Sequence, residues 1–311
     1  MKKVVTLTLN PAIDKSSSVE HVMAERKLYC KPPRFEPGGG GVNVSRAMRK
    51  LGGESTLLYP AGGLVGERLK ELLHQEGLNH RPFPVDGMTR ESLIILEETT
   101  GLQYRFGMPG PEFREEEWAA FLKEVETMEP SPDYLVASGS LPPGVPADFY
   151  AQVARLARER GARTIVDSSG EALRQALKEG VYLIKPNLRE FRNLVGEDIK
   201  EESKIKAEAW KMIERGLCEV VVISLGAGGA LAVSELFSER IVPPTVPIIS
   251  KVGAGDSMVA GIVLSLARET PLRESVLFGV AAGTAAVMTP GTELCRREDV
   301  ERLFEAMISG L

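Results

Sequence analysis

Short apolar runs rich in β-branched residues alternate along this chain with segments in which apolar residues recur every three or four positions. Residues 4–9 and 220–224 are two such runs, and residues 44–51 show the helical spacing, which ends at Gly52. Strands that follow one another through helices lie parallel in one sheet, and the helices cover both of its faces. The alternation therefore predicts an α/β fold, a three-layer αβα sandwich with a mainly parallel sheet.

Two stretches interrupt this alternation and predict a small sheet beside the main one. Residues 10–37 are polar and show no good helical pattern, and within residues 89–108 two apolar runs flank Thr99-Thr100-Gly101, which is typical of a hairpin. Such strands suit a lid and offer a surface for pairing with a second subunit. We expect a β lid made of residues 10–37 and 89–108, and a large α/β domain made of residues 1–9, 38–88 and 109–311.

The balance of charges argues against some classes of partner. The 311 residues include 38 Lys and Arg against 43 Asp and Glu, a formal net charge of −5 at pH 7, which disfavours broad binding to nucleic acid or a membrane surface. The three cysteines are far apart without CxxC spacing, and no apolar run approaches the roughly 20 residues that span a bilayer. We expect a cytoplasmic protein with reduced thiols, and neither nucleic acid nor membrane as a partner.

The sequence Lys-Val-Gly-Ala-Gly-Asp-Ser, residues 251–257, opens a helical pattern. Glycines just before a helix let main-chain N–H groups converge on an anion, and the helix dipole favours negative charge there. Gly253, Ala254 and Gly255 would form such an anion hole, and the carboxylate of Asp256 would take a proton from a hydroxyl. An acidic residue in an ordinary first helical turn explains the same pattern, so the motif alone leaves both interpretations open.

Four consecutive glycines, residues 38–41, stand ahead of another helical pattern. They remove every side chain that would keep a ligand away from the main chain, and Asn43 can hydrogen-bond a sugar hydroxyl from just inside the helix. The alternative is a flexible hinge, but a hinge seldom needs four glycines directly before a well-patterned helix. The pattern favours a binding loop.

Two further segments each follow directly on a predicted strand. In Lys-Pro-Asn-Leu-Arg-Glu, residues 185–190, Asn187 and Glu190 have the spacing of a helix capping box, and both can also reach outward to Mg²⁺ or its waters. The segment Ser-Leu-Gly-Ala-Gly-Gly, residues 224–229, fits either a tight turn or a floor for a nucleotide. In isolation the first segment favours the cap, and the second decides nothing.

The chain lacks the P-loop sequence GxxxxGK[ST], and its first predicted strand leads into Asn10-Pro11 instead of GxGxxG. The glycine run, the Lys-Pro-Asn-x-x-Glu segment and the Gly-Ala-Gly-Asp segment, in this order, resemble the ribokinase-like (PfkB) family of sugar kinases over essentially the whole chain. Residues 6–14 resemble the phosphosugar-kinase branch of this family, and residues 35–44, 138–144 and 167–173 are most similar to the members that phosphorylate fructose 6-phosphate. The related 1-phosphofructokinases carry a lysine within the glycine run, which here is all glycine.

The resemblance implies an ATP-dependent kinase of the ribokinase-like fold that phosphorylates the C1 hydroxyl of fructose 6-phosphate, with Mg²⁺ accompanying ATP. Asp256 is then the base, and the main chain of Gly253, Ala254 and Gly255 is the anion hole. The residues implied to bind the phosphosugar are Asp14, Gly39, Gly40, Asn43, Arg90, Arg105, Lys27, Ser138 and Gly139. The residues implied to bind ATP are Lys185, Asn187, Ser224, Gly226, Gly228 and Gly229, and those implied to organise Mg²⁺ are Asn187 and Glu190.

Among these residues, the cations of Arg90, Arg105 and Lys27 are assigned to the 6-phosphate, with Lys27 donated by the second subunit of a homodimer that forms through the lid. The alternative for each cation is a solvated surface position. Tyr29 occupies a lid position where a further cation is expected, which counts against phosphate binding across subunits.

Some alternatives stay open after the resemblance. A 1-phosphofructokinase and a tagatose-6-phosphate kinase are rivals within the enzyme class, and a catalytically silent sugar-phosphate sensor is a rival outside it, disfavoured by the presence of Asp256 and Glu190. The family also binds K⁺ near the catalytic loop. Lys251 stands where the family usually has a small residue such as threonine, close to the loop flanked by Thr289 and Glu293, and its ammonium could compete with K⁺, which leaves the dependence on K⁺ open.

Overall fold

The computed structural model describes residues 1–309, which form thirteen strands and ten α-helices. The strands are β1 (Val4–Leu7), β2 (Ala12–Val19), β3 (Arg34–Gly38), β4 (Thr56–Ala61), β5 (Asn79–Pro84), β6 (Arg90–Glu97), β7 (Gln103–Gly107), β8 (Tyr134–Ser138), β9 (Arg163–Asp167), β10 (Val181–Ile184), β11 (Cys218–Ser224), β12 (Ala230–Ser234) and β13 (Ser238–Ile241). The helices are α1 (Gly40–Lys50), α2 (Gly63–Gln75), α3 (Glu115–Thr127), α4 (Phe149–Glu159), α5 (Gly170–Lys178), α6 (Leu188–Val195), α7 (Glu202–Glu214), α8 (Ala254–Ala267), α9 (Leu272–Ala286) and α10 (Arg297–Ser309).

The large sheet contains nine strands in the order β13-β12-β11-β10-β9-β8-β1-β4-β5. From β5 to β11 all neighbours are parallel, and only β12 and β13 are added antiparallel at one edge. Parallel strands need a crossover connection, and helices supply it between successive strands. The predicted mainly parallel sheet is confirmed.

The small sheet contains four strands in the order β3-β2-β6-β7. Strand β2 pairs antiparallel with β3 and parallel with β6, and the hairpin of β6 and β7 follows the turn at Thr99-Thr100-Gly101. In the β2–β3 pair, Asp14 lies opposite Glu36. Asp14, Glu36 and the residue that opens β6, Arg90, therefore come from adjacent strands.

Two apolar clusters pack against the two faces of the large sheet, as the layered fold requires. One joins α1, α8, α9 and α10 to the sheet and includes Met48 and Leu264, and the other joins helices α3 to α7 and includes Tyr150 and Phe191. Helices α8 and α9 approach so closely that a Cβ on Gly261 would lie 2.9 Å from the Cα of Gly279. The three-layer fold is confirmed, and within residues 1–309 no helix combines the length and apolarity that crossing a membrane requires.

Two edges of the large sheet were not predicted from the sequence pattern. Strand β5 contains two prolines and is largely exposed, because it is an edge strand with only β4 beside it. Strands β12 and β13 form a hairpin after the glycine turn at Gly226–Gly228. Strand β12 is apolar and buried, but β5 and β13 lack the continuous apolar run of the central strands, so the alternation that predicted the core did not extend to these two edge strands.

Candidate active site

The carboxyl ends of five parallel strands meet on one edge of the large sheet and present polar residues there. These residues are Thr8 after β1, Ser138 at the end of β8, Asp167 at the end of β9, Lys185 after β10 and Ser224 at the end of β11. Open α/β sheets bind ligands at this edge. Helices α1 and α8 both begin above it, so the two glycine-rich segments face the same place.

Asp256 lies in the first turn of α8, directly above this edge. The helix begins after Gly253, whose φ of 74° belongs to the left-handed region that glycine adopts without strain. The Nδ2 of Asn43 on α1 donates a hydrogen bond of 2.9 Å to Oδ2 of Asp256. Burial and the neighbouring charge of Asp167 raise the pKa of Asp256 to about 6, although Asn43 and Lys185 act in the opposite direction.

Lys185 is buried beneath the start of α8. Its Nζ lies 3.3 Å from Oδ1 of Asp167, and a Cβ on Gly255 would lie 3.0 Å from the same nitrogen. Burial opposes the charge of this ammonium, but the carboxylates of Asp167 and Asp256 outweigh burial, so the pKa of Lys185 is raised. A cation therefore remains directly below the amides of the α8 N-terminus.

Asp167 was not among the candidate residues from the sequence. Burial raises its pKa, while Lys185 acts to lower it. The signal that would have found it is its position as the last residue of a strand, in the segment Asp-Ser-Ser-Gly at the same sheet edge as Lys185. Position at a strand's carboxyl end is more informative here than residue type.

The glycine run at the start of α1 lets three chain segments approach one another. A Cβ on Gly38 would overlap the carboxylate of Asp14, and a Cβ on Gly40 would overlap Ser138 Oγ. Gly39 has a φ of 104°, which disfavours any other residue there. The space that side chains on this run would need is therefore occupied by atoms of Asp14 and Ser138. The sequence did not predict this.

Asp14 is buried at the base of the small sheet. Burial raises its pKa to about 6, against the lowering effect of the charges of Arg90 and Arg46. Nearby, three buried polar atoms have no hydrogen-bond partner within residues 1–309: Thr8 Oγ1, Asn43 Oδ1 and Ser138 Oγ. Buried polar groups are usually paired, so these atoms mark a place where a polar ligand would supply the missing partners. Thr8 is a further residue that the sequence did not single out.

The arginines and the lysine assigned to the sugar phosphate are placed differently from one another. Arg90 is half-buried near Asp14, and its guanidinium donates to the main-chain oxygens of Asn10 and Met108 at 3.0 and 3.1 Å. Arg105 is exposed on β7. Lys27 is exposed in the connection between β2 and β3, where its Nζ lies 5.1 Å from the centre of the Tyr29 ring, and it makes no ion pair within residues 1–309.

The segment after β10 forms the predicted capping box. Asn187 Oδ1 accepts from the N–H of Glu190, and Glu190 Oε2 accepts from the N–H of Asn187, both at 2.9 Å. Oε1 of Glu190 is left for a ligand. Within the described part of the chain no three His, Cys, Asp or Glu side chains form a metal-binding group. A cation bound here would take most of its ligands from water or substrate oxygens, as Mg²⁺ usually does.

The segment after β11 forms a short turn. Gly226–Gly228 is one turn of 3₁₀-helix, and the N–H of Leu225 donates to the oxygen of Gly229 at 2.8 Å. Gly229 has a φ of 83°, and a Cβ on it would overlap the main-chain oxygen of Ile241. Ser224 also forms an isolated bridge with Asn187. The turn, including Gly228, thus lies beside the capping box of Asn187 and Glu190. The residues implied to bind the phosphosugar belong to other segments.

The structure brings most of the candidate residues to one edge of the sheet, around Asp256 and Lys185, and comparison with known proteins assigns the class of chemistry. Residues 3–299 match the sequence profile of the pfkB family carbohydrate kinase. The chain belongs to this family. Its relatives include ATP-dependent 6-phosphofructokinase isozyme 2 of Mycobacterium tuberculosis, 45% identical over 97% of this chain and 89% of the relative. The isozyme 2 of Escherichia coli is 43% identical over 98% of both chains.

Solved structures of a pfkB family member have the same fold. Phosphofructokinase-2 from Escherichia coli in complex with potassium has a TM-score of 0.95 at 42% identity, covering 99% of this chain and 100% of that one. The same protein in complex with fructose-6-phosphate has a TM-score of 0.94 at 41% identity with equal coverage. A tetrameric inhibited form of that protein has also been described. The predicted family and the ribokinase-like fold are confirmed.

Proposed function

We propose that this chain catalyses the ATP-dependent phosphorylation of the C1 hydroxyl of fructose 6-phosphate, which yields fructose 1,6-bisphosphate and ADP. The observation that carries the proposal is the placement of Asp256. Its carboxylate lies at the amide-rich start of α8, is held by Asn43 and has the buried cation of Lys185 beside it. The relatives named 6-phosphofructokinase, at 43 and 45% identity, support the choice of substrate.

Asp256 acts as the base in this proposal. A pKa of about 6 leaves the carboxylate mostly ionised at neutral pH, yet close enough to neutrality to accept a proton effectively. It takes the proton of the C1 hydroxyl as the oxygen attacks the γ-phosphorus of ATP in line with the departing ADP oxygen. The hydrogen bond from Asn43 fixes the carboxylate's orientation during the transfer.

The charge that develops on the transferred phosphoryl group is met by the start of α8. The main-chain N–H groups of Gly253, Ala254 and Gly255 would bind it at the start of α8, with the Lys185 ammonium close to Gly255. Donors fixed in advance stabilise such charge without reorganisation. Glu190 and Asn187 fit Mg²⁺, because Oε1 of Glu190 is free of the capping box. Mg²⁺ supplies charge neutralisation on the phosphates, and the turn of residues 224–229 lies where ATP would extend.

The sugar phosphate occupies the space between α1 and the small sheet. Asp14, Asn43 and the main chain of Gly39 and Gly40 hold its hydroxyls, and Ser138 with Gly139 adds contacts. Arg90 and Arg105 bind the 6-phosphate, as Arg90 exchanges its main-chain acceptors for phosphate oxygens. The small sheet, within residues 10–37 and 89–108, acts as the lid that keeps water from the transferred phosphoryl group.

The lid is also the proposed contact in a homodimer, through which Lys27 of a second subunit would reach the phosphate. Exposed apolar side chains on the lid, including Tyr29 and Phe106, support this proposal. Light scattering at working concentration tests it, and a strict monomer contradicts it. K⁺ is a further proposed ligand, near residues 250–252 and 289–293, where Lys251 is exposed and Glu293 pairs with Arg296 at 2.7 Å.

ADP release by the purified protein tests the proposed reaction. The acceptors are fructose 6-phosphate, fructose 1-phosphate, tagatose 6-phosphate, ribose and adenosine, each with Mg-ATP, and the series is run in K⁺ and in Na⁺ buffers. We expect the highest kcat/KM with fructose 6-phosphate. If the protein prefers fructose 1-phosphate or tagatose 6-phosphate, the proposed substrate is wrong but the proposed phosphoryl transfer stands. If it turns over none of the acceptors, a sugar-phosphate sensor is favoured.

A further inference from the structure

Arg46 is a buried cation that the proposed reaction does not use. It lies on α1 and is 2% exposed. Its Nη1 donates to the main-chain oxygens of Pro37 and Thr292 at 2.8 and 3.0 Å. Its Nε and Nη2 donate to the carboxylate of Glu76 at 2.8 and 2.7 Å. Every nitrogen of the guanidinium is therefore engaged.

The partners of Arg46 belong to three separate segments. Pro37 lies on β3 of the small sheet, Glu76 directly follows α2, and Thr292 lies in the loop between α9 and α10. Glu36 links two of these segments directly, because its Oε2 accepts from the N–H and the Oγ1 of Thr292 at 3.3 and 3.0 Å. We call these five residues, Glu36, Pro37, Arg46, Glu76 and Thr292, the Arg46 junction.

The Arg46 junction touches both sides of the candidate active site. On the sugar side, Glu36 lies opposite Asp14 in the β2–β3 pair. On the phosphoryl side, the loop that holds Thr292 continues to Leu294, which fills the space beside Gly253 at the start of α8. Arg46 lies three residues after Asn43 on α1, so the two side chains leave the same helix face. One holds Asp256, and the other holds the small sheet and the loop.

We propose that Arg46 is a positioning residue for the phosphoryl transfer. By binding β3 and the Thr292 loop at once, it fixes the small sheet relative to the start of α8, so that sugar and anion hole face each other in a closed site. This inference rests on the proposed function. Arginine suits the task because its planar fork binds a carboxylate and two main-chain oxygens at fixed angles, which the ammonium of lysine cannot reproduce.

The test uses Arg46→Lys, with Arg49→Lys as the matched control, because Arg49 lies on the same helix and is exposed. We expect Arg46→Lys to lower kcat about tenfold and to raise KM for fructose 6-phosphate, because small misplacements of reacting groups are costly. KM for ATP should stay within about twofold, because the ATP-side residues do not contact the junction. The molar ratio of ADP to fructose 1,6-bisphosphate should rise above one, because a looser lid admits water.

Thr292→Val is the second variant, and it removes only the hydroxyl that donates to Glu36. It should change the same quantities in the same direction, with kcat lowered about threefold. If Arg46→Lys does not fold, this variant decides the result. If the molar ratio of ADP to fructose 1,6-bisphosphate stays at one, the proposal is overturned. This holds if all kinetic constants match those of the control, and it also holds if kcat falls only in step with a lower thermal unfolding midpoint.

The wild-type measurement separates this inference from the proposed function. If the wild-type protein phosphorylates a different phosphosugar, the proposed substrate is wrong, and the same ratio measured with that sugar still decides the role of Arg46. If the wild-type protein turns over none of the acceptors, both proposals are contradicted. If fructose 6-phosphate is the acceptor and the ratio is unchanged in both variants, only the role of Arg46 is lost.

Discussion

Two helices of this protein begin with glycine-rich segments at the same edge of the large sheet, and the glycines serve different purposes. At the start of α1, Cβ atoms on Gly38 and Gly40 would overlap Asp14 and Ser138, and one on Gly41 would lie 2.5 Å from the main-chain oxygen of Leu7. At the start of α8, a Cβ on Gly253 would overlap the side chain of Leu294, and the nearest atom to a Cβ on Gly255 is the Nζ of Lys185 at 3.0 Å. Main-chain atoms of Leu7 and Gly139 border the first segment, whereas the flexible side-chain ends of Leu294 and Lys185 border the second.

The two helix starts also differ in charge. The first turn of α1 contains no acidic residue, whereas that of α8 contains Asp256. A carboxylate is favoured at a helix N-terminus by the dipole, yet here burial and Asp167 raise its pKa. The comparison teaches that α1 shapes the site by close packing and α8 supplies its chemistry, so substitutions at the two starts should fail in different ways.

Asp256→Asn should produce the largest effect, a fall in kcat of about 10²- to 10³-fold. The amide keeps an oxygen that can accept from Asn43, so the site keeps its shape while it loses the proton acceptor. KM for both substrates should change little. Steady-state kinetics measures this, and a kcat within about threefold of wild type would remove Asp256 from the role of base.

Gly40→Ala should mainly reduce stability, by about 2 to 3 kcal/mol. The new methyl group would overlap Ser138 Oγ and lie 2.8 Å from the N of Gly139. A main-chain atom cannot move aside cheaply, so the cost outweighs the gain in helix propensity of about 1 kcal/mol. Urea unfolding measures it, with Gly107→Ala as the control because no atom lies within 4 Å of its Cβ. Equal stability of the two variants would contradict the packing explanation.

Gly255→Ala should mainly reduce turnover, by about tenfold in kcat. Its methyl group would lie 3.0 Å from Lys185 Nζ, so the flexible end of the lysine shifts while the fold accommodates the change. The free energy of unfolding should stay within about 0.5 kcal/mol of wild type. A variant that loses stability and keeps kcat would reverse the distinction between the two helix starts.

The sequence predicted the layered fold because the central strands are buried on both faces and appear as continuous apolar runs. It could not predict the edge strand β5, whose residues 79–84 contain two prolines and lie mostly exposed. It identified the motif at residues 253–256, because a glycine-rich helix start is local in the chain. It did not identify Asp167, Thr8 or Arg46, because their importance comes from contacts with residues distant in the chain.

The glycine run at residues 38–41 shows the same limit in more detail. The sequence pattern indicated that side chains are absent, and the natural interpretation was access for a ligand. The structure shows that Asp14 and Ser138, which come from other segments, occupy part of that space. The sequence shows where side chains are missing, but only the folded structure shows which atoms occupy the space they leave.

The smallest predicted effect is a gain in stability in Asp256→Asn, about 1 kcal/mol at pH 7. A carboxyl whose pKa is raised from 3.8 to about 6 keeps its proton in the folded state after the unfolded chain has lost it. This group therefore favours folding below about pH 4, and its contribution is lost as pH rises toward 6. A shift of two pKa units corresponds to about 3 kcal/mol of stability. We expect only about 1 kcal/mol of it, because solvent screens the charge of a side chain that is only half-buried. Urea unfolding at pH 7 and pH 4 should show the gain only at pH 7, with the exposed Glu305→Gln unchanged at both, and a gain of equal size at both pH values would contradict it.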